Sequence, residues 1–330
     1  MEEDSSVDMQ NLETAGGEYL LLVGTDFGPI DKSNNVTAMY HDLGYGTNGQ
    51  LATAKYNISC EVTVAHTTAR CPTLPGVGFN HSWLVYVGGQ SSDIAVHYKT
   101  SYAAPVITDI DHRIMDTNGN DNVTLIGTNF GPVDSTNYIS AEYERSWYIG
   151  GEAQYLYTGL CTVIKANVRM ACTTTTGVGK DFSWTINVGG QLSHPSSVLT
   201  RYQKPVIDTL TGAVDLKTEG FETITLTGAH FGPFNSILNV TYSNRDVNDN
   251  NAFINTELAA ITFQAMACNV TVAHVQAECL TAPGVGKSHY WLLAVGNQTS
   301  DRSPGVTSYI RPDITAFNDE AVDSPGLSTQ

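Results

Sequence analysis

The sequence predicts an all-β chain of three tandem β-sandwich domains, and three observations carry that prediction. One set of motifs occurs three times at intervals of 101 to 107 residues, the size of a small domain rather than of a solenoid rung. Short alternating apolar runs bounded by Gly, Asn, Asp and Pro fill the chain, and no long stretch repeats apolar residues at helical spacing. All six cysteines fall in pairs eleven positions apart, one pair per copy.

Copy one reads Gly24-Thr-Asp-Phe27-Gly-Pro29, then Cys60, Cys71, Gly76-Val-Gly78, Trp83 and Val87-Gly-Gly-Gln90. Copy two follows with Gly127-Thr-Asn-Phe130-Gly-Pro132, Cys161, Cys172, Gly177-Val-Gly179, Trp184 and Val188-Gly-Gly-Gln191. Copy three has Gly228-Ala-His-Phe231-Gly-Pro233, Cys268, Cys279, Gly284-Val-Gly286, Trp291 and Val295-Gly-Asn-Gln298. The runs Trp83-Val85-Val87, Trp184-Ile186-Val188 and Trp291-Leu293-Val295 place every second residue on one face, as a half-buried strand anchored by its tryptophan does. About seven such runs per hundred residues describe a sandwich of immunoglobulin type.

Each cysteine pair brackets a strand-turn-strand run, so the expected disulfides are Cys60–Cys71, Cys161–Cys172 and Cys268–Cys279. Closing a loop of that size is worth roughly 3 kcal/mol in the chain-entropy model. The competing metal reading is weaker, because two thiols per copy without a fixed histidine fall short of four ligands.

Pro105-Val-Ile and Pro205-Val-Ile open copies two and three, and Pro312-Asp-Ile opens a fourth. The expected domains are 1–104, 105–204 and 205–311, with 312–330 starting a fourth repeat; the first lacks a recognisable opening strand. The phase suits a piece of a longer secreted array, or strand donation between chains through the spare segment. Tyr102-Ala-Ala-Pro105, Tyr202-Gln-Lys-Pro205 and Tyr309-Ile-Arg-Pro312 leave two residues between tyrosine and proline. Linkers so short, restricted further by proline, predict a semi-rigid rod.

Sixteen Lys and Arg against 33 Asp and Glu give a net charge of -17. That excludes nucleic acid as a partner and argues against docking on anionic lipid. No apolar run approaches the roughly 18 residues of a membrane span, and the acidic Met1-Glu-Glu-Asp start is no signal peptide. Paired cysteines and the sequons at Asn35, Asn57, Asn80, Asn122, Asn239, Asn269 and Asn297 point to the extracellular side or the cell surface.

The Pro-x-Ile opening, Gly-x-x-Phe-Gly turn, cysteine hairpin, Pro-Gly-x-Gly and Val-x-Val-Gly-x-Gln strand together resemble the IPT/TIG family of immunoglobulin-like domains. The resemblance runs in triplicate from about Tyr19 to Tyr309; copy two departs with Thr176-Gly177 where the others have Pro75-Gly76 and Pro283-Gly284. It implies surface receptors and adhesion proteins, Rel-type transcription factors, or accessory domains of secreted sugar-processing enzymes. Acidity, cysteine pairs and sequons leave out the nuclear setting.

Residues that imitate chemistry are few. Gly284-Val-Gly-Lys-Ser288 resembles the end of a phosphate loop but has Thr281 where glycine is required, and it repeats as a plain turn. Asp116-Thr-Asn118-Gly-Asn120-Asp121 starts like a calcium loop but lacks its sixth-position glycine and twelfth-position glutamate, so it reads as a solvated turn. An ion there would stiffen a junction, and Asn244-Arg-Asp246-Val-Asn248-Asp249-Asn250 reads the same way. No other cofactor or catalytic residue is expected. His66 and His274 share a hairpin position with Asn167, which suggests a turn role.

Copy two has no sequon between Asn122 and Asn239 and carries Tyr138, Tyr143, Trp147, Tyr148, Tyr155 and Tyr157. These aromatics are candidates for a contact face, against the alternative that they fill the copy's own core. The expected function is a non-enzymatic extracellular structural or adhesive protein, a segment of a surface fibre, coat or stalk. Its partners would be other copies of itself or adjoining repeats. A ligand-binding receptor ectodomain and an accessory module of a secreted carbohydrate-active enzyme are the alternatives.

Overall fold

In the computed structural model, residues 7–30, 35–42, 56–133, 139–145, 156–212, 214–244 and 262–316 are described. All regular structure among them is β, almost wholly antiparallel, in immunoglobulin-like sandwiches. The opening-strand question in copy one (residues 1–6), Tyr138, Trp147, Tyr148, Tyr155, Asp246 to Asn250 and residues 317–330 lie outside the described residues.

One long strand per copy binds the two layers. Tyr56–Val64 pairs with Val36–Asp42 over its first half and with Thr68–Pro72 over its second. Leu156–Lys165 does the same between Ile139–Arg145 and Arg169–Thr173. In copy three the strand breaks at Ala265 into Thr262–Gln264 and Met266–Val272, and a four-stranded and a six-stranded sheet result. The disulfides Cys60–Cys71, Cys161–Cys172 and Cys268–Cys279 sit in this crossing region and join it to its hairpin partner.

Alternation decides the inward faces, as in Val123 and Leu125, or Ile224 and Leu226, all buried. Each tryptophan stacks on a tyrosine across the strand pair: Tyr40 on Trp83, Tyr143 on Trp184 and Tyr242 on Trp291, all at 4.4 Å between centroids. The indole N–H groups, buried away from water, donate to Thr100, Thr200 and Thr307 at 2.9–3.0 Å.

Two tyrosine hydroxyls then meet in each core: Tyr40 with Tyr102 at 2.8 Å, Tyr143 with Tyr202 and Tyr242 with Tyr309 at 2.7 Å. Tyr102 donates onward to the Leu74 carbonyl at 2.7 Å, while the Leu74 N–H donates to Tyr40 at 2.9 Å. Thr175 and Ala282 close the same ring in copies two and three. Burial pushes the hydroxyls of Tyr102, Tyr202 and Tyr309 far above the ordinary phenol range, so they remain donors.

Replacing Tyr202 by Phe leaves the Thr175 carbonyl and the Tyr143 hydroxyl without this partner. The expected loss is about 1–3 kcal/mol, measured by chemical denaturation against a Tyr19→Phe control at the surface.

Candidate functional site at the repeat junctions

The sequence places its chemistry in turns, and the structure brings three of those turns together where one copy meets the next. At the upper end of copy one, Val77 is held by Tyr56: the Val77 N–H donates to the phenol at 3.0 Å, and the phenol donates to the Val77 carbonyl at 3.2 Å. Tyr157 treats Val178 identically, at 3.1 and 3.0 Å. Neither valine packs into its own core. Val77 belongs to the cluster around Phe130, Trp184 and Val188, and Val178 to the one around Phe231, Trp291 and Val295. Each is therefore a knob from one copy seated in the base of the following copy.

The socket is made from the Phe-Gly-Pro turn and the Val-Gly-x-Gln hairpin. At Gly232, a Cβ would collide with Cγ1 of Val178, and at Gly296 one would collide with the backbone nitrogen of Gly179. Glycine is needed at Gly296 because two backbones pass at a distance no side chain tolerates, and at Gly232 because the side chains of Val178 and Ser236 fill the space. The glutamine then clamps the junction: Gln298 Nε2 donates to the carbonyls of Gly179 and Tyr202, both at 2.9 Å. Gln191 donates to the Tyr102 carbonyl at 2.9 Å. Burying a valine is worth about 1.5–3 kcal/mol, and each hydrogen bond adds about 1 kcal/mol net.

Polar trim differs between the junctions. Below copy two, Asn129 Nδ2 donates to the Ala104 carbonyl at 3.0 Å. Below copy three, His274 Nδ1 lies 3.0 Å from Thr117 Oγ1 and its Nε2 3.4 Å from Thr176 Oγ1, while His230 Nδ1 is 3.4 Å from Thr117 Oγ1. Lys204 and Asp301 form an ion pair at 2.7 Å across the same junction. His66, Asn167 and His274 all adopt positive φ, 65 to 67°, at hairpin tips, and each tip N–H donates to the glycine of a Phe-Gly-Pro turn at 2.7 Å.

Several sequence readings need revision or placing. Tyr143 is fully buried in the stack with Trp184 and Tyr157, so it cannot belong to a contact face. Tyr157 is half-buried, with its hydroxyl committed to Val178. Asn35, Asn57, Asn80, Asn122, Asn239, Asn269 and Asn297 are all exposed. Asp116 accepts from the N–H and side-chain amide of Asn118, each at 2.8 Å, and Asp121 accepts from the Asp116 N–H, so the turn satisfies its own carboxylates. Among the described residues no group of three or more His, Cys, Asp or Glu is placed to hold a metal.

No known family model and no curated protein matches the chain in sequence. Among solved structures it is similar to the extracellular region of Plexin A4, at 12% identity and TM-score 0.25, with 92% of this chain and 33% of that one covered. The FN1–FN3 domains of chicken CNTN1 align at 10% identity and TM-score 0.23, over 91% of this chain and 97% of that one. Invasin, a bacterial integrin-binding protein, aligns at 13% identity and TM-score 0.24, over 86% and 58%. The chain thus spans about a third of the plexin structure, and likenesses this loose say nothing of what it binds.

Two outcomes are expected. Val178→Ala and Gln298→Ala should each destabilise the third copy by about 1–3 kcal/mol, and together split the calorimetric unfolding into separate transitions. For pH, burial holds the His274 imidazole below its ordinary 6.5, with Asp116 pulling the other way and His230 reinforcing the shift. Asp116 is itself held low, chiefly by the Asn118 N–H, and stays charged. The unfolded chain therefore takes up more protons below pH 6.5, and stability contributed by this junction falls as pH drops from there. Melting followed from pH 7.5 to 5 should show that decline, and His274→Asn should flatten it.

Proposed function

We propose that this chain is a non-enzymatic extracellular structural or adhesive element, in which three IPT/TIG-type domains, 1–104, 105–204 and 205–311, form a semi-rigid rod. The observation that carries the reading is the recurrence of one junction: a valine knob, a glycine-lined socket and a glutamine clamp occur at both boundaries. A glutamine bonded to the neighbouring backbone and a valine packed into the neighbouring core restrict bending in a way that a bare two-residue linker does not. Segments that spaced apart independent binding modules would have no use for such a fit.

Six cysteines, all disulfide-bonded, favour an oxidising compartment. All seven sequons stand on exposed asparagines, so glycans there would coat the rod without disturbing its cores. No helix of the described residues is long and apolar enough to cross a membrane. The disulfides and the exposed sequons support the surface role, and the charge of -17 favours solubility and repels other polyanions.

Small-angle scattering tests the reading. A rigid rod should give a radius of gyration well above the about 20 Å of a compact chain this long, with a Kratky plot lacking the rise of a flexible string. A radius near 20 Å, or an unrestricted spread of interdomain angles, would overturn it.

A further inference from the structure

The junction that occurs twice inside the chain is present a third time in two separated halves. The knob of copy three, Val285, is 55% exposed, whereas Val77 and Val178 are 6% and 4%. Thr218 beside it is exposed, while its counterparts Thr14 and Thr117 are buried, Thr117 against His230 and His274 of the following copy. At the other end of the molecule, Gln90 is exposed where Gln298 is buried. Among the described residues, nothing lies within 4 Å of where a Cβ on Gly88 or Gly89 would sit, although the equivalent Gly189 and Gly296 press on a preceding copy. Among the described residues, one end thus carries a knob without a socket, and the other a socket without a knob.

We propose that the occupant of each is a second copy of this chain, joined head to tail. The proposal deepens the rod reading and rests on it. Val285 of one copy enters the base of repeat one in the next, beside Val87 and Phe27, and Gln90 donates to the carbonyls of Gly286 and Tyr309. Charge argues for this pairing. Arg311 holds the place that Lys204 holds in copy two, and Asp93 the place of Asp301, so the ion pair seen at 2.7 Å between Lys204 and Asp301 is rebuilt with the same signs. Lys217 stands where Asp116 does and Asp26 where His230 does, which sets a second pair of opposite charges face to face. All four charged residues are exposed in the single chain.

The strand edges agree with the ends. Asn122–Thr128 is flanked on both sides, by Val106–Asp111 and Arg169–Thr173, and Thr223–Ala229 likewise by Val206–Gly212 and Gln276–Leu280. Tyr19–Val23 pairs only with Thr68–Pro72 among the described residues, and Leu21 and Val23 on it are 59% and 82% exposed. The segment following Arg311 has the opening-strand sequence Pro312-Asp-Ile314, with Ile314 74% exposed. In the register of copy three, where Ile207 faces Gly228, Ile314 of one chain falls opposite Gly24 of the next. Main-chain hydrogen bonds along that edge add to the knob and clamp. Because the two surfaces differ, the contact does not close on itself and propagates as a filament.

Sedimentation velocity of the 330-residue chain from micromolar to millimolar concentration, with electron microscopy of the concentrated sample, tests this. Concentration-dependent end-to-end oligomers one chain in thickness are expected. Val285→Asp should weaken association at least tenfold. Arg311→Asp and Asp93→Arg should each do likewise, and the double exchange should restore it. Circular dichroism and melting of each variant separate a lost contact from a lost fold. A chain that stays monomeric at millimolar concentration, or oligomers indifferent to Val285→Asp and to the charge exchange, would overturn the proposal. Scattering from the monomer distinguishes the two failures: a rod that does not associate sinks only the head-to-tail contact, whereas a compact monomer sinks the rod as well.

Discussion

The closed ring of hydrogen bonds between a tyrosine pair and one backbone residue is the constraint on which the other features rest. Hydrophobic burial holds the two layers of a sandwich together but has no direction, and it leaves the end turns free to shift. The ring removes that freedom. Tyr40 comes from an inner strand and Tyr102 from an isolated bridge just beyond the last one, and they fasten to the N–H and the carbonyl of Leu74 respectively. Leu74 lies three residues before the knob Val77, and Tyr102 three before Pro105, where the next copy opens. A buried phenol without a partner would cost about as much as the ring gains, so the arrangement is held from both sides. The same residues therefore fix the core, the knob and the exit of the chain.

Variation among the copies falls outside this ring. Tyr56 and Tyr157 grip their knobs with a phenol, whereas copy three has Phe263 in that place, stacked on Tyr242 at 5.2 Å and offering no hydroxyl to Val285. His289 Nε2 sits 3.2 Å from the Val285 carbonyl instead. Junction polarity varies too, with Asn129 serving one boundary and a His230, His274 and Thr117 cluster the other. A constant apolar knob with changing polar trim lets each boundary keep one geometry while its charge and pH response differ.

Much of the fold was legible because strand alternation and cysteine spacing are local. Trp184-Ile186-Val188 faces inward throughout, and the disulfides close the hairpins that bracket them. The Asn-for-histidine exchange at 66, 167 and 274 marked a turn, and positive φ at all three gives the physical reason, since asparagine tolerates that region well. What escaped was contact between copies. A Gly-Val-Gly turn announces a backbone conformation and is silent on what its valine touches, so the knobs read as turns. Tyr143 was misplaced because aromatic content was counted without phase. Aligned as Ala38 with Tyr40, Ala141 with Tyr143 and Val240 with Tyr242, the period-two pattern puts it inside, facing tryptophan.

Two physically identical contacts need not be equally strong, and the position of a junction in the chain decides its weight. Between copies one and two, or two and three, the short linker holds knob and socket at a high effective concentration, so a single valine and a few hydrogen bonds suffice. A contact between separate chains forgoes that advantage and must overcome the loss of translational and rotational freedom. In the head-to-tail joint proposed above, the exposed edge of Tyr19–Val23 and the segment Pro312-Asp-Ile314 would supply the extra pairing that an untethered joint requires. Charge serves another purpose there. A molecule with net charge -17 repels its own copies, and in the proposed joint the placing of Arg311 and Lys217 at one end with Asp93 and Asp26 at the other would turn that repulsion into orientation. In the proposed joint, Arg311 and Lys217 of one copy would face Asp93 and Asp26 of the next in opposite sign.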